Sequence, residues 1–420
     1  MILTSICFYP IVLCDYFDQN FLIPKQLVFQ VSVLVIFILW TCKYKYIPIY
    51  HRGFLTKSVL LFFLWTAICS FVSPNPFIAL NKYTFWLSGV LFILLLEALS
   101  LRGSTLFLMW IVVMFVVVSV SYMQWLGFSP VPVIRSYFYG STLGNPNFVA
   151  CLSATTAISL LGYAFSSHGR QKILWIVLIL FFIFPVFFIG ARGVFVGLLV
   201  AVSIFCFLRK AYLATITLLL LFFLASLLPF YQGRSMLNKE NFNQYGATKE
   251  RVVVWVSSWK TFQQNLLFGT GFEQWHEQAW YYKNRFVSKN GNEIYRQAKK
   301  RIFTHTHNDY LEIFVETGVV GGCLFIVLLL AMLYYAYKSY QVTSCYKKAG
   351  HLAALSVLLT HALVSFPLQT TFGYVCFLLN WFFSLNAPME KNIERQSLAT
   401  CLVLLLLLCN TVSWAFAHLI

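Results

Sequence analysis

One histidine and two arginines stand out as side chains able to act on a substrate. His307 lies in Thr304-His305-Thr306-His307-Asn308-Asp309-Tyr310-Leu311-Glu312, where a polar stretch runs into an apolar one. Ionisable groups at the mouth of a membrane helix cost several kcal/mol unless they face a cavity or a partner. Asp309, Glu312 and Glu316 share one helix face, and acids near an N-terminus favour the helix dipole, so capping plus water-facing acids accounts for them. That account leaves His307 unexplained. An imidazole exchanges a proton near neutral pH, which suits deprotonation of an attacking hydroxyl.

Metal binding is the other use of such a stretch. His305-x-His307-x-Asp309 resembles the start of a binuclear-zinc hydrolase motif, but Tyr310 stands where a further His belongs and no other ligand cluster accompanies it, so no metal site is expected. Arg192, in Gly190-Ala191-Arg192-Gly193, interrupts two apolar runs, and Arg251 precedes Val252-Val253-Val254-Trp255. Guanidinium forks bind phosphate oxygens bidentately, so two arginines facing one cavity suit a diphosphate leaving group; snorkelling to lipid headgroups is the alternative for each. In Tyr139 to Asn147, Asn147 is expected to cap a helix, and the Asn145 and Asn147 amides could bond to sugar or phosphate, though turn chemistry explains much of the stretch. His361 falls within an apolar span, with Pro367 near its end, where packing and a kink compete with a binding role.

The elements that must position these groups are membrane helices. Of 420 residues, 60% are hydrophobic and 10% charged, against about 25% charged in soluble domains. Spans of about 20 apolar residues are expected at 1–14, 22–41, 54–73, 84–100, 104–127, 147–166, 173–190, 193–208, 211–230, 308–337, 350–366, 370–386 and 398–418, an all-α polytopic bundle of about 12–13 helices. The segment 1–14 lacks the basic start of a cleaved signal peptide and reads as the first span. The eleven cysteines lie in or beside apolar stretches and form no disulfide framework.

Basic residues are retained on the cytoplasmic side. One alternating set of connections carries fourteen Lys and Arg, the other only Lys25, Lys82, Arg135 and Arg192, which predicts a cytoplasmic N-terminus. The net charge of +17 therefore reflects orientation and an anionic ligand, and no nucleic acid is expected. Three regions follow: helices in 1–230, a long outward loop at 231–306, and helices in 307–420. The loop holds twelve basic residues and five acids, and a connection of that length is usually functional. Within it Val252, Trp255, Val256, Trp259 and Phe262 predict an amphipathic helix over 249–264, broken by Gly269-Thr270-Gly271.

His307-Asn308, nine residues, Gly318, two residues and Gly321 resemble the signature of the O-antigen ligase superfamily, which includes O-antigen ligases, O-antigen polymerases and protein O-oligosaccharyltransferases. Ala191-Arg192-Gly193 is similar to its S-R-G element, Arg251 with Trp255 to its R-x3-L element, and Gly144 to Asn147 and His361 to Leu368 to two further stretches; the likeness covers roughly 140–370. Asn145 for Gln and Ala191 for Ser are departures. The resemblance implies a GT-C-like, inverting, cofactor- and metal-independent glycosyltransferase in a bacterial inner membrane, with its long periplasmic loop between the ninth and tenth spans. It implies an undecaprenyl-pyrophosphate-linked glycan donor and, as acceptor, lipid A core, a protein or a growing chain. His307 would be the base, Arg192 and Arg251 would hold the diphosphate, and Asn145, Asn147, Asn308 and His361 are further substrate-binding candidates; Trp275, Trp280 and Tyr281 could stack on sugars. A lipid-linked oligosaccharide flippase is the alternative from another class. It would need charges deep in several helices, whereas these concentrate at one face.

Overall fold

The computed structural model describes residues 9–11, 21–44, 46–50, 53–99, 103–131, 139–211, 243–290, 303–385, 391–395 and 398–416. All but residues 9–11 of the span expected at 1–14, and all but 211 of the one expected at 211–230, lie outside these residues, as do 231–242 and 291–302 of the expected loop. The protein is an all-α, multi-pass membrane protein. Among the described residues seven helices are long and apolar enough to cross a membrane: α1 (Ile23–Tyr44), α2 (Phe54–Phe71), α3 (Pro76–Ala98), α4 (Gly103–Trp125), α5 (Pro146–Ser166), α6 (Gly169–Ile189) and α10 (Asp309–Thr343). The other helices are α7 (Arg192–Leu208), α8 (Asn243–Gln264), α9 (Trp275–Asn290), α11 (Tyr346–His361), α12 (Thr371–Ser384) and α13 (Leu398–Phe416). A two-stranded antiparallel ladder joins β1 (Tyr46–Tyr50) to β2 (Lys391–Arg395), with Tyr46 opposite Arg395; it was not expected, and it ties the connection after α1 to the one before α13.

The centre of the bundle is α11, which packs on α5 and α7. Lipid tails supply no hydrophobic drive between helices, so close backbone approach must supply packing. A Cβ on Gly162 of α5 would sit 2.4 Å from the Tyr346 carbonyl oxygen, and one on Gly350 of α11 would sit 2.7 Å from that of Ser159. Helix α2 packs along α10, and α13 closes the other flank against α1 and α3. By contrast α6 keeps Ile173, Leu174, Val177 and Leu180 exposed, as a lipid-facing helix should.

The decisive local feature is in α10. Its 35 residues would be about 50 Å long at 1.5 Å per residue, far more than a hydrocarbon core of about 30 Å. Gly318 breaks it with φ 71° and ψ −176°. The carbonyls of Val315 and Glu316 accept from Thr270 N and Gly271 N at 3.0 and 2.9 Å, while Val319 N donates to Leu266 O at 2.8 Å. Trp65 Nε1 donates to Thr317 O at 2.9 Å. The polar groups freed by the break are thus met by the turn after α8 and by α2, and a short segment, Asp309–Thr317, is set apart from the long membrane segment that follows.

Candidate active site

The short segment begins beside His307. Asn308 caps it, its Oδ1 accepting from Leu311 N at 3.0 Å, so this side chain is committed to the helix. His307 itself adopts φ 55°, a left-handed conformation that costs a non-glycine residue of the order of 1 kcal/mol. The loop before it is fixed at successive backbone atoms. Trp275 Nε1 donates to Thr304 O at 3.2 Å, Trp255 Nε1 donates to Thr306 O at 3.0 Å, and Thr306 N donates to Glu312 Oε2 at 2.8 Å. The other oxygen of Glu312 lies 2.8 Å from His305 Nδ1. Asp309 Oδ2 accepts from Leu368 N at 2.9 Å, and Glu316 Oε1 accepts from Glu273 N at 2.7 Å.

Several expectations are corrected here. Asp309, Glu312 and Glu316 are not water-facing: all three are buried and bind three different segments. His305, His307 and Asp309 turn to different partners, and among the described residues no three His, Cys, Asp or Glu converge as metal donors would. Trp275 is buried and works as a hydrogen-bond donor, whereas Trp280 and Tyr281 are exposed. In α8 the buried face is Val253, Val254, Ser257, Ser258, Thr261 and Phe262, with Val252 and Trp259 outside; it is offset from the expected one because its hydroxyls donate to carbonyls one turn back and pack as small apolar groups. The cap of α5 is Asn145, whose Oδ1 accepts from Asn147 N at 2.9 Å; Asn147 lies inside the helix because Pro146 takes the first helical position.

Arg192 is the first residue of α7 and is exposed. Arg251 stands one turn before Trp255 on α8 and is half-buried. Burial holds the Arg251 guanidinium below its ordinary range, and the charge of Arg192 lowers it further, which places the two cations within electrostatic reach. Among the described residues neither makes an ion pair with a carboxylate. Burial, then the charges of Arg251 and His305, push His307 down to about 4, with Glu312 opposing. His307 is therefore neutral at physiological pH, with one ring nitrogen able to take a proton.

His361, at the end of α11, joins the same group. It is 3% exposed and neither ring nitrogen has a hydrogen-bond partner. The Arg251 charge reaches it, and a Cβ on Gly193 would sit 2.9 Å from its Nδ1, so a glycine beside Arg192 lets α7 approach this ring. Phe366 links the remaining pieces: His305 stacks on it at 4.1 Å, His307 meets its edge at 5.1 Å, and Phe148 of α5 packs on it at 5.2 Å. Helix ends and turns between Asn145 and Phe366 thus meet in one region. Sequence reasoning missed Phe366, the Glu312 clamp and Lys82. The last, counted as a loop charge, is buried within α3 and bonded to Glu273 at 3.4 Å; a lysine inside an apolar helix was its available signal.

Residues 155–326 match the family model described as O-antigen ligase. An O-antigen ligase domain is therefore present over part of the chain, running from within α5 to within α10 and taking in Arg192, Arg251, His307 and Gly318. No curated protein matches the chain. Fold and match together define a multi-pass membrane protein carrying an O-antigen ligase domain.

Proposed function

We propose that the protein is a membrane glycosyltransferase of the O-antigen ligase type, moving a glycan from undecaprenyl pyrophosphate to an acceptor hydroxyl at the periplasmic face of a bacterial inner membrane. One observation carries this: two arginines without carboxylate partners lie within electrostatic reach of each other, and the charge of one of them, Arg251, also reaches a histidine held neutral. Like charges brought together, here an exposed Arg192 and a half-buried Arg251, repel unless an anion joins them, and a diphosphate matches the paired guanidinium donors.

In this reaction a neutral His307 nitrogen takes the acceptor O–H proton. The oxygen attacks the anomeric carbon from the face opposite the diphosphate, and the anomeric C–O bond breaks with its electron pair leaving on the phosphate oxygen. Arg192 and Arg251 hold that oxygen's developing charge. His361 and Phe366 enclose the reacting region, and Asn145, Asn147 and Asn308 shape it through helix caps and turns. The family match extends the same reading to a polyprenyl-linked donor and a lipid or protein acceptor.

The test is glycan transfer in a strain lacking the protein, complemented with His307→Ala, Arg192→Ala or Arg251→Ala. Loss of the glycoconjugate with accumulation of its lipid-linked precursor supports transfer. If the strain lacking the protein instead holds its lipid-linked donor on the cytoplasmic face, the flippase alternative is correct.

A further inference from the structure

The cluster around His307 borders a cavity of about 250 Å³ that the reaction above does not use. Three sets of residues line it. Gln26, Gln369, Thr304, Thr370 and Thr371 supply neutral hydrogen-bonding groups, Phe372 and Trp414 with three aliphatic residues an apolar wall, and Lys82, Glu273, His276 and His305 a charged edge. In the last set Lys82 bonds Glu273 at 3.4 Å and His305 bonds Glu312 at 2.8 Å. The cavity adjoins the proposed reaction centre, because His305 shares Phe366 with His307 and Phe372 packs on Phe148, which also touches Phe366.

Two side chains here carry unmet amide groups. Gln369 is 5% exposed, and neither its Oε1 nor its Nε2 has a hydrogen bond; Gln26 Nε2 is likewise unmet. A buried amide group without a partner costs about 1–3 kcal/mol, so Gln369, with the Gln26 Nε2 group also unmet, marks a place where a ligand supplies the missing bonds. We propose that this cavity is a saccharide subsite holding a neutral, hydroxyl-rich ring of the substrate. Its hydroxyls would meet the Gln26 and Gln369 amides and the threonines, and its apolar face would lie on Phe372 and Trp414. Because Lys82 and His305 are each paired with a carboxylate, the subsite differs in kind from the Arg192 and Arg251 region, whose cations have no carboxylate partner among the described residues, and favours a neutral ligand over phosphate. Its volume is just below the roughly 300 Å³ at which drug-sized pockets begin, which suits a single sugar ring. The last helix, α13, supplies Trp414 and completes the wall between α1 and α3.

The assignment of the ring to a transfer substrate rests on the proposed function; the binding itself does not. Saturation-transfer NMR on the full chain in nanodiscs, with methyl glycosides of hexoses, N-acetylhexosamines and a uronic acid, reads it directly. The expected result is saturable binding of a neutral glycoside, unchanged in His307→Ala and weakened about tenfold or more in Gln369→Leu and in Gln26→Leu, which sit on separate elements so that misfolding of one variant leaves the other informative. Absence of saturable neutral-glycoside binding, preference for the uronic acid, or unaltered affinity in both glutamine variants overturns the subsite. In transfer assays a higher KM for acceptor in Gln369→Leu assigns the ring to the acceptor, and a higher KM for donor assigns it to the donor. No change in either KM overturns the assignment. Retained transfer in His307→Ala defeats the proposed role of His307 alone, and abolished transfer with unaltered glycoside affinity in both glutamine variants defeats the subsite alone.

Discussion

Replacing Arg251 by methionine should move the acid limb of transfer to higher pH. On the proposed mechanism His307 must be unprotonated to accept the acceptor proton, and burial with its neighbouring charges lowers it to about 4. At pH 5 such a group is about nine-tenths in its base form, whereas a histidine at the ordinary value of about 6.5 would be about 3% so, roughly a thirtyfold difference in competent enzyme. The wild-type kcat/KM should therefore stay flat from neutrality to about pH 5 and fall near 4. Burial is the largest cause of the depression and the Arg251 charge the next. Arg251→Met removes the second and keeps most of the first, so the limb should rise to a position between 4 and 6.5. Overall activity at pH 7 should drop about 10²–10³-fold through loss of charge stabilisation. Arg192→Met is the control: its charge acts on Arg251, so the limb should move less. The assay is kcat/KM against pH in proteoliposomes with lipid-linked donor, each profile normalised to its own plateau. A wild-type profile falling at 6.5, or an Arg251→Met limb that stays or moves downward, would refute this account of the site.

Four further outcomes follow from the geometry. His307→Gln, which keeps bulk but not basicity, should lower kcat about 10²–10⁴-fold with little change in donor affinity, measured by initial rates and donor binding. Glu312→Gln weakens the clamp on His305 and Thr306 and should lower kcat about tenfold while pushing the His307 limb further down, since the Glu312 charge opposes the depression; an upward shift of that limb would count against it. Trp255→Phe loses one hydrogen bond to Thr306 O, about 1 kcal/mol of loop positioning, and should lower kcat several-fold with the folded fraction unchanged by size-exclusion chromatography. Gly318→Ala forces a Cβ to within 2.0 Å of Leu267 O at φ 71°, and should lower thermal stability in detergent by several degrees and activity with it.

Much of the architecture was legible because apolar length is a strong signal. Each expected span within the described residues meets a helix, although α3 starts at Pro76 where 84 was expected. That start was hidden by Asn81 and Lys82, polar residues that read as loop until Glu273, distant in sequence, is seen to accept the Lys82 ammonium. The acids of the His307 segment failed for the same reason: helix periodicity places Asp309, Glu312 and Glu316 on one face but says nothing of the turns and loops that cover it. Gly318 was legible as a residue of the signature. Its reason, a backbone break answered by the 269–271 turn, was not, since hydrogen bonds between distant segments leave no local pattern. The convergence of Arg192, Arg251, His307 and His361 likewise depends on how α7, α8 and α11 cross, which composition does not encode.

The dispersal of the site along the chain sets the order in which it comes into being. Arg192 enters the membrane early in synthesis, Arg251 follows, and His307, His361 and Phe366 arrive only with the later helices. Until α11 seats between α5 and α7, no growing chain holds the imidazole and both guanidiniums together. On the proposed reaction, a nascent chain would thus be unable to cleave an activated lipid-linked sugar with water in place of its proper acceptor. Chemistry becomes available only once the bundle has closed around it.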